Sequence, residues 1–458
     1  MSDETTPVAG VAHQSQNNIY LSGPVLPLFA KTAAPIVLVM LVNGLFTVVD
    51  AYFLGVYVGA DAVVAVTLMF PLYMMLIALS TLVSNGFSSV YARSLGAGDH
   101  IEAQQVFSSA LQLSLLVCIG LIAGFWLLGP SLALWIANGA QGLADLGHAY
   151  LSILIYTAVL AFFLGINVDA LRAEGLLPAM AAITLLSALL NICFDWLFVV
   201  QLGWGVEGSA WGTVLGQACA ATALLIYRVN HSGGIHWPSL APIPTYWRDL
   251  LALGAPSSLG YVGLSLSTGI TLISLQFWAG DRFEATSGAF GIMTRLMTFI
   301  FLPLLGMSMA FQTIVSNNFG AQRSDRTRAA IRVTLAVAFF YCVGMQAIFT
   351  LSAPVLGGVF VDDANIQSEL ARILPIGTLT LFLFGPLMII ATYFQAIGDA
   401  ARAAVLSLSR TYVFAIPLIV ALPYLIGEPG IWYAGVVAEF LVLALTVLVL
   451  MRLKSGRA

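Results

Sequence analysis

Three acidic residues lie inside long apolar stretches of the sequence, where a charge is costly. Asp50 lies in FTVVDAYFLG, Asp195 in LLNICFDWLF, and Glu439 in a third apolar stretch. A charged side chain at the centre of a bilayer costs about 2.5–3.5 kcal/mol on insertion scales, so such residues are candidates for function. Asn191 precedes Asp195 by four residues, which predicts that the amide and the carboxylate lie on one helix face.

The chemistry of these side chains points to a small cation. Thr213, inside GSAWGTVLG, adds a hydroxyl to the carboxylates and the amide. Such oxygens suit a hard metal ion, and two neighbouring carboxylates in an apolar setting equally favour keeping one proton. The sequence therefore predicts a site for a small hard cation or a proton, without choosing between them, at Asp50, Asn191, Asp195 and Thr213. Five further residues are predicted to line a substrate cavity or an interface between lobes: Glu439, Gln217, Arg295, Tyr52 and Met293.

The composition shows what kind of element must position these residues. Of 458 residues, 60% are hydrophobic and 8% are charged, and the mean hydropathy is +0.96. A soluble domain carries about 25% charged residues, so a soluble enzyme and a nucleic-acid binder are both excluded. Twelve apolar stretches, each long enough for a helix of about 20 residues, predict twelve transmembrane helices.

The basic residues predict the orientation of these helices. Cytoplasmic loops of membrane proteins carry an excess of Lys and Arg. One set of loops and tails holds thirteen basic residues, whereas the opposite loops hold only Arg282 and Arg372. Both termini are therefore predicted to be cytoplasmic. The thirteen are Lys31, Arg93, Arg172, Arg228, Arg248, Arg323, Arg326, Arg328, Arg332, Arg402, Arg452, Lys454 and Arg457.

The chain also contains a weak internal repeat. SLGAGDHIEA around Gly96 matches NFGAQRSDRT around Gly320, and GVEGSAWG around Gly208 matches GEPGIWYAG around Gly430. The offset is nearly constant, and six helices per half make the repeat parallel, with its axis along the membrane normal. The predicted parts are a cytoplasmic tail (1–27), a six-helix lobe (28–229), a cytoplasmic linker (230–247), a second six-helix lobe (248–452) and a cytoplasmic tail (453–458).

These motifs, taken together, resemble the multidrug and toxic compound extrusion (MATE) family, in its prokaryotic branch of DNA-damage-inducible proteins. The resemblance runs from about Leu28 to Met451 and includes YARSLGAGDHIEA, LLNICFDWLFV, FQTIVSNNFGAQRSDRTRAA and GIWYAGVVAE. It implies an antiporter in the bacterial inner membrane that exports organic cations or other amphiphiles in exchange for Na+ or H+. It also implies a cation site at Asp50, Asn191, Asp195 and Thr213. No other cofactor and no nucleic-acid partner is expected, and a monomer would suffice.

Three other classes of protein remain as alternatives. A lipid-linked sugar flippase of the same superfamily is the main one, although such proteins tend to have fourteen spans and a cationic cavity. A porter of the major facilitator type would need a GxxxDRxGRR-like loop after the second helix, where this sequence reads RSLGAGDHIEAQQ. A membrane-embedded enzyme lacks support because HExxH and GxSxG motifs are absent from the sequence.

Overall fold

The computed structural model describes residues 18–230 and 244–455, and it confirms an all-helical membrane protein. The helices of the first half are α1 (Val25–Phe53), α2 (Ala60–Ala97), α3 (His100–Ile136), α4 (Gln141–Tyr156), α5 (Ala158–Ala173), α6 (Leu177–Asp195) and α7 (Gly205–Asn230). Those of the second half are α8 (Trp247–Trp278), α9 (Phe283–Gly320), α10 (Ser324–Phe360), α11 (Ala364–Thr378), α12 (Leu381–Ala396), α13 (Ala400–Leu408), α14 (Ile416–Ala421), α15 (Pro423–Ile426) and α16 (Pro429–Ser455).

These helices make twelve spans. Ten helical segments are long and apolar enough to cross a membrane, and two bent pairs, α4 with α5 and α11 with α12, account for two more. The first lobe comprises α1 to α7 and the second comprises α8 to α16. An even number of spans puts the start of α1 and the end of α16 on one face of the bundle, which we call the terminal face. Most of the linker proposed for residues 230–247 lies outside the described residues.

Reciprocal contacts between α2 and α9 show that the two lobes are related by a pseudo-two-fold axis. A Cβ atom on Gly96 would lie 2.0 Å from the carbonyl oxygen of Asn317, and one on Gly320 would lie 2.0 Å from that of Arg93. Gly320 and Asn317 follow Gly96 and Arg93 by the same 224 residues. An interface in which each partner makes the other's contact is the signature of a two-fold axis. Gly96 and Gly320, which belong to the repeated motif, thus lie where α2 of the first lobe and α9 of the second cross in contact.

A polar layer joins the lobes in the half of the bundle nearer the terminal face. The amide nitrogen of Gln312 on α9 donates to Asn85 Oδ1 at 2.8 Å and to Ser89 Oγ at 2.7 Å. Asn85 in turn donates to Ser257 Oγ on α8 at 2.7 Å. Because buried polar groups in an apolar bundle need partners, these bonds favour one alignment of α2 against α8 and α9.

Residues 18–23, within the stretch predicted as a tail, pack across both lobes at the terminal face. Tyr20 is 0% exposed, and its hydroxyl donates to the carbonyl oxygen of Arg172 in the first lobe. Its own carbonyl accepts from Asn318 Nδ2 of the second lobe at 3.0 Å. Arg326, also in the second lobe, donates to the carbonyl of Gly23 at 2.6 Å. The first transmembrane helix begins directly after this segment, at Val25.

We expect Tyr20→Ala to lower the thermal unfolding midpoint by several degrees, because truncating a buried aromatic side chain costs about 3–5 kcal/mol. Tyr20→Phe, which removes one hydrogen bond worth about 1 kcal/mol, should have a smaller effect. Differential scanning fluorimetry of the purified protein measures both. Tyr424→Ala is the control because Tyr424 is 75% exposed. Equal midpoints for Tyr20→Ala and Tyr424→Ala would show that this segment does not stabilise the bundle.

Candidate functional site

Asp50 and Asp195 meet inside the first lobe. Asp50 lies in the last turn of α1, just before a π-helical turn at Leu54–Val58, and Asp195 ends α6. Ser209 Oγ on α7 donates to Asp50 Oδ1 at 2.5 Å, and the two carboxyl groups are close enough to hydrogen-bond with each other. Asp195 is 0% exposed. Three helices of one lobe therefore converge on a pair of carboxylates.

Asn191 and Thr213 complete the arrangement. The orientation of the Asn191 amide that satisfies its neighbours directs its nitrogen to Asp195 Oδ2 at 3.3 Å. Its oxygen then accepts from Thr213 N at 2.8 Å and from Thr213 Oγ1 at 2.9 Å. Asn191 and Asp195 are one helical turn apart, so both side chains project from α6 toward α7. The structure thus brings together all four residues of the predicted cation site.

Glycines on α7 make room for this site. Gly208, Gly212 and Gly216 recur every four residues on one face of α7, which packs against α6 and, at Gly208, against Phe198 just beyond the end of α6. A Cβ atom on Gly212 would lie 2.2 Å from Asp195 Oδ1, and one on Gly216 would lie 3.0 Å from the backbone nitrogen of Asn191. Small residues allow membrane helices to approach closely. Here the close approach also leaves space around a carboxylate oxygen.

One oxygen of the site lacks a partner. Among residues 18–230 and 244–455, Asp195 Oδ1 has no hydrogen-bond donor although it is buried. A buried unsatisfied acceptor in a native structure calls for an explanation, and an ion is one of the usual ones. Its neighbours are carboxylate, amide and hydroxyl oxygens, which are the ligands of hard cations. The residues present therefore fit either a bound Na+ or a proton on one carboxyl group.

Two hydroxyl groups that the sequence analysis missed also belong here. Ser209 donates to Asp50 directly, and the Tyr150 side chain lies near both Ser209 and Asp50. Ser209 precedes Thr213 by four residues, so the helical spacing that linked Asn191 to Asp195 could have identified it. Tyr150 lies on α4, and the sequence contains no comparable signal for it.

Glu439 and Gln217 lie outside this cluster. Glu439, 8% exposed in the second lobe, pairs with Arg410 Nε at 3.2 Å, and the Arg410 guanidinium lies 4.4 Å from the centroid of the Phe384 ring. Glu439 and Arg410 therefore neutralise each other inside the second lobe, and the cation–π contact further stabilises the arginine. Gln217 is half-buried on α7, one turn beyond Thr213.

The remaining predicted residues are not brought together. Met293 faces α11, because a Cβ atom on Gly377 would lie 2.1 Å from the Met293 methyl group. Tyr52 is 58% exposed near the end of α1. Arg295 is exposed on α9 and makes no hydrogen bond or ion pair with any described residue.

A buried acidic cluster in one lobe of a duplicated helical bundle is typical of a polytopic transport protein. The MatE family model matches residues 35–197 and 262–421, one stretch in each lobe. The chain therefore belongs to the MATE family of membrane transporters, and the two matches confirm the internal repeat.

Curated relatives and solved structures agree with this assignment. The multidrug export protein MepA of Staphylococcus aureus (strain NCTC 8325 / PS 47) is 24% identical over 422 residues, which are 91% of this chain and 92% of that protein. MepA of Staphylococcus saprophyticus is 23% identical over 89% of each chain. An outward-facing multidrug resistance MATE transporter matches with a TM-score of 0.85 at 24% identity, over 99% of both chains. A MATE structure in a bent conformation matches with a TM-score of 0.86 at 23% identity, over 99% of this chain and 98% of that one.

Proposed function

We propose that this protein is a secondary antiporter that exports amphiphilic or cationic drugs in exchange for Na+ or H+. The observation that carries the proposal is the pairing of Asp50 with Asp195 in the first lobe, next to an unsatisfied carboxylate oxygen. The name of the related MepA proteins, multidrug export protein, supports the same direction of transport and a broad range of substrates. A monomer suffices because both lobes belong to one chain.

The terminal face is proposed to be cytoplasmic in a bacterial inner membrane. Among residues 18–230 and 244–455, twelve of the thirteen basic residues that the sequence assigned to this side lie in or near its loops, and positively charged loops stay inside during insertion. The inter-lobe hydrogen bonds from Asn85 and Gln312 and the packing of Tyr20 hold this face closed. The state described here is therefore the one that releases substrate outward.

Alternating access follows from two rigid lobes that meet around one axis. In the proposed cycle, separation of the lobes at the terminal face opens the path from the cytoplasm, and their closure opens the path to the outside. A cation drives this exchange only if its affinity differs between the two states, by about 1.4 kcal/mol for each tenfold difference. Asp50 links the site to these movements, because α1 also contacts α9 of the second lobe at Gly44 and Val37.

Two carboxylates explain why a cation is required. Two negative charges in contact repel each other strongly when little water is present. Binding of Na+ or of a proton removes this repulsion, so loading the site favours the packed arrangement of α1, α6 and α7. Loss of the cation to the cytoplasm then reverses the preference and resets the transporter.

We expect Asp50→Asn to reduce gradient-driven transport of ethidium by at least about tenfold, because it removes one of the two charges that the cation must neutralise. The measurement is ethidium movement in proteoliposomes under a Na+ gradient alone and under a pH gradient alone. Whichever gradient drives transport in the unmodified protein identifies the coupling ion.

Asp61→Asn serves as the matched control, because Asp61 is an exposed acid in the first turn of α2. Transport that survives Asp50→Asn would contradict the site while keeping the exporter. Correctly folded protein that moves neither ethidium nor the anionic dye anilinonaphthalene sulfonate under either gradient would count against the exporter and in favour of a lipid flippase.

A further inference from the structure

Arg295 is an exposed cation deep in a transmembrane helix. It lies twelve residues beyond Phe283, the first residue of α9, which is about 18 Å along the helix axis. Arg410, an arginine inside another span, pairs with Glu439 and lies over the ring of Phe384. Arg295 has no such partner in residues 18–230 or 244–455. A charge retained at this depth is costly, so a ligand that pairs with it is expected.

The helical register shows what Arg295 faces. Leu302 and Gly306 contact α1 of the first lobe, since Cβ atoms placed on Gly44 and Gly306 would lie 2.5 Å from Leu302 Cδ1 and 2.9 Å from Val37 Cγ2. Arg295 precedes Leu302 by seven residues, almost two full turns, so both side chains project from the same face of α9. Arg295 therefore points toward α1 of the opposite lobe.

The matching face of α1 is uncovered at this level. Val48 and Ala51 follow Gly44 by four and seven residues and continue the face that contacts α9. Val48 is 55% exposed, and Ala51 is exposed as well. The two helices thus separate beyond the contact between Gly44 and Leu302. We call the space between these uncovered faces the α1–α9 gap.

The α1–α9 gap is largely apolar, and Arg295 adds a positive charge on its α9 side. Thr298, one turn before Leu302, adds a hydroxyl that donates to the Thr294 carbonyl oxygen of its own helix at 3.0 Å. The exposed side chains of the gap include Val48 and Phe299, which is 47% exposed. Asp50 belongs to another face of α1, where Ser209 binds it, and Asp195 is 0% exposed. Neither acid therefore neutralises Arg295.

We propose that Arg295 binds the negatively charged group of an amphiphile in the α1–α9 gap, so that the transporter selects amphiphiles carrying a carboxylate, sulfonate or phosphate. This inference deepens the proposed export function and rests on it. The planar guanidinium forms paired hydrogen bonds with such groups, and the apolar surroundings accept the rest of the molecule. The family resemblance implied organic cations or other amphiphiles as substrates, and this charge would repel the cations among them.

The test compares two dyes that differ by one sulfonate group. Binding of anilinonaphthalene sulfonate and of neutral N-phenylnaphthylamine is titrated by fluorescence, with the full chain in phosphatidylcholine nanodiscs and empty nanodiscs as background. We expect Arg295→Gln to weaken sulfonate binding by about tenfold or more, because a charge-assisted pair is lost, and to leave the neutral dye unaffected. Arg295→Lys should retain most of the preference because it retains the charge.

Controls separate this inference from the proposed antiport. Arg328→Gln, which removes an exposed arginine at the terminal face, should not change the binding of either dye. Equal ratios of sulfonate to neutral affinity in the unmodified protein and in Arg295→Gln would overturn the proposal. This readout needs no gradient, so it is independent of the transport lost in Asp50→Asn.

Two sources of the anion are distinguished by adding phosphatidylglycerol to the nanodiscs. If lipid headgroups occupy Arg295, this anionic lipid will compete with the sulfonate dye in the unmodified protein but not in Arg295→Gln. If transported molecules occupy it, the affinity for the dye will be the same with and without the lipid. Both results support an anion site at Arg295 and assign its occupant.

Discussion

Gly212→Ala is expected to weaken coupling-ion binding by at least about tenfold, an effect of about 1.4 kcal/mol. The added methyl group would lie 2.2 Å from Asp195 Oδ1 and 3.1 Å from the Asp195 backbone nitrogen. The carboxylate must move away, since no carbon and oxygen atoms approach so closely without a bond. Binding sites lose function when their groups are displaced from the productive geometry by more than about 0.5 Å.

The measurement is the dependence of transport rate on the concentration of the coupling ion in proteoliposomes. Gly120→Ala on α3 is the matched control, because a Cβ atom there has no neighbour within 4 Å. The half-saturating ion concentration should rise for Gly212→Ala and not for Gly120→Ala. If both variants keep the original value, Asp195 Oδ1 is not part of the ion site, and the role assigned to the glycine face of α7 is wrong.

Gly254→Ala is expected to shift the transporter toward the state that is open at the terminal face, by at least about tenfold in population. A Cβ atom on Gly254 of α8 would lie 1.7 Å from the carbonyl oxygen of Leu82 on α2. The obstacle is backbone rather than a flexible side chain, so the two helices must separate. Overpacking of this kind costs about 1–3 kcal/mol, and the open state avoids that cost.

Distances between spin labels measure this shift directly. Labels at positions 101 and 401 report on the two lobes at the terminal face, because these residues follow the α2–α3 and α12–α13 loops. The exposed cysteines Cys193 and Cys219 are first replaced by alanine. The distribution should move to longer distances in Gly254→Ala, and also in Gly86→Ala, whose Cβ atom would lie 1.9 Å from the carbonyl oxygen of Leu250.

Gly260→Ala on the same helix is the control, since a Cβ atom at Gly260 has no neighbour within 4 Å. It should leave the distance distribution unchanged. Identical distributions for Gly254→Ala and Gly260→Ala, in folded protein, would contradict the idea that the contact between α2 and α8 holds the terminal face closed.

Much of the fold was predictable because the bilayer imposes strict rules on a sequence. Apolar stretches of sufficient length must be helices that satisfy their own backbone hydrogen bonds. The match between the motifs at Gly96 and Gly320 predicted two equivalent lobes, and both glycines lie at the contact that relates them. The cost of a buried charge likewise singled out Asp50 and Asp195, and the structure places them together.

Other features depend on how each helix is rotated about its own axis. Hydropathy shows that a span is apolar but does not show which neighbour each face meets. Glu439, like Asp50, is an acid within an apolar stretch of the sequence, yet it pairs with Arg410 inside the second lobe. Ser209 and Tyr150 belong to the site only because α7 and α4 are rotated so that these two side chains face Asp50.

The contrast between Arg295 and Arg410 shows the same limit. Both are arginines within apolar spans, and local sequence alone does not show which of them has an ionic partner and which does not. Their difference arises because α16 and α12 bring Glu439 and Phe384 to Arg410, whereas α1 separates from α9 at the level of Arg295. Local sequence thus establishes which residues are costly to bury in a membrane. The contacts that offset this cost come from helices far apart in the chain, so they are decided by the packing of the lobes.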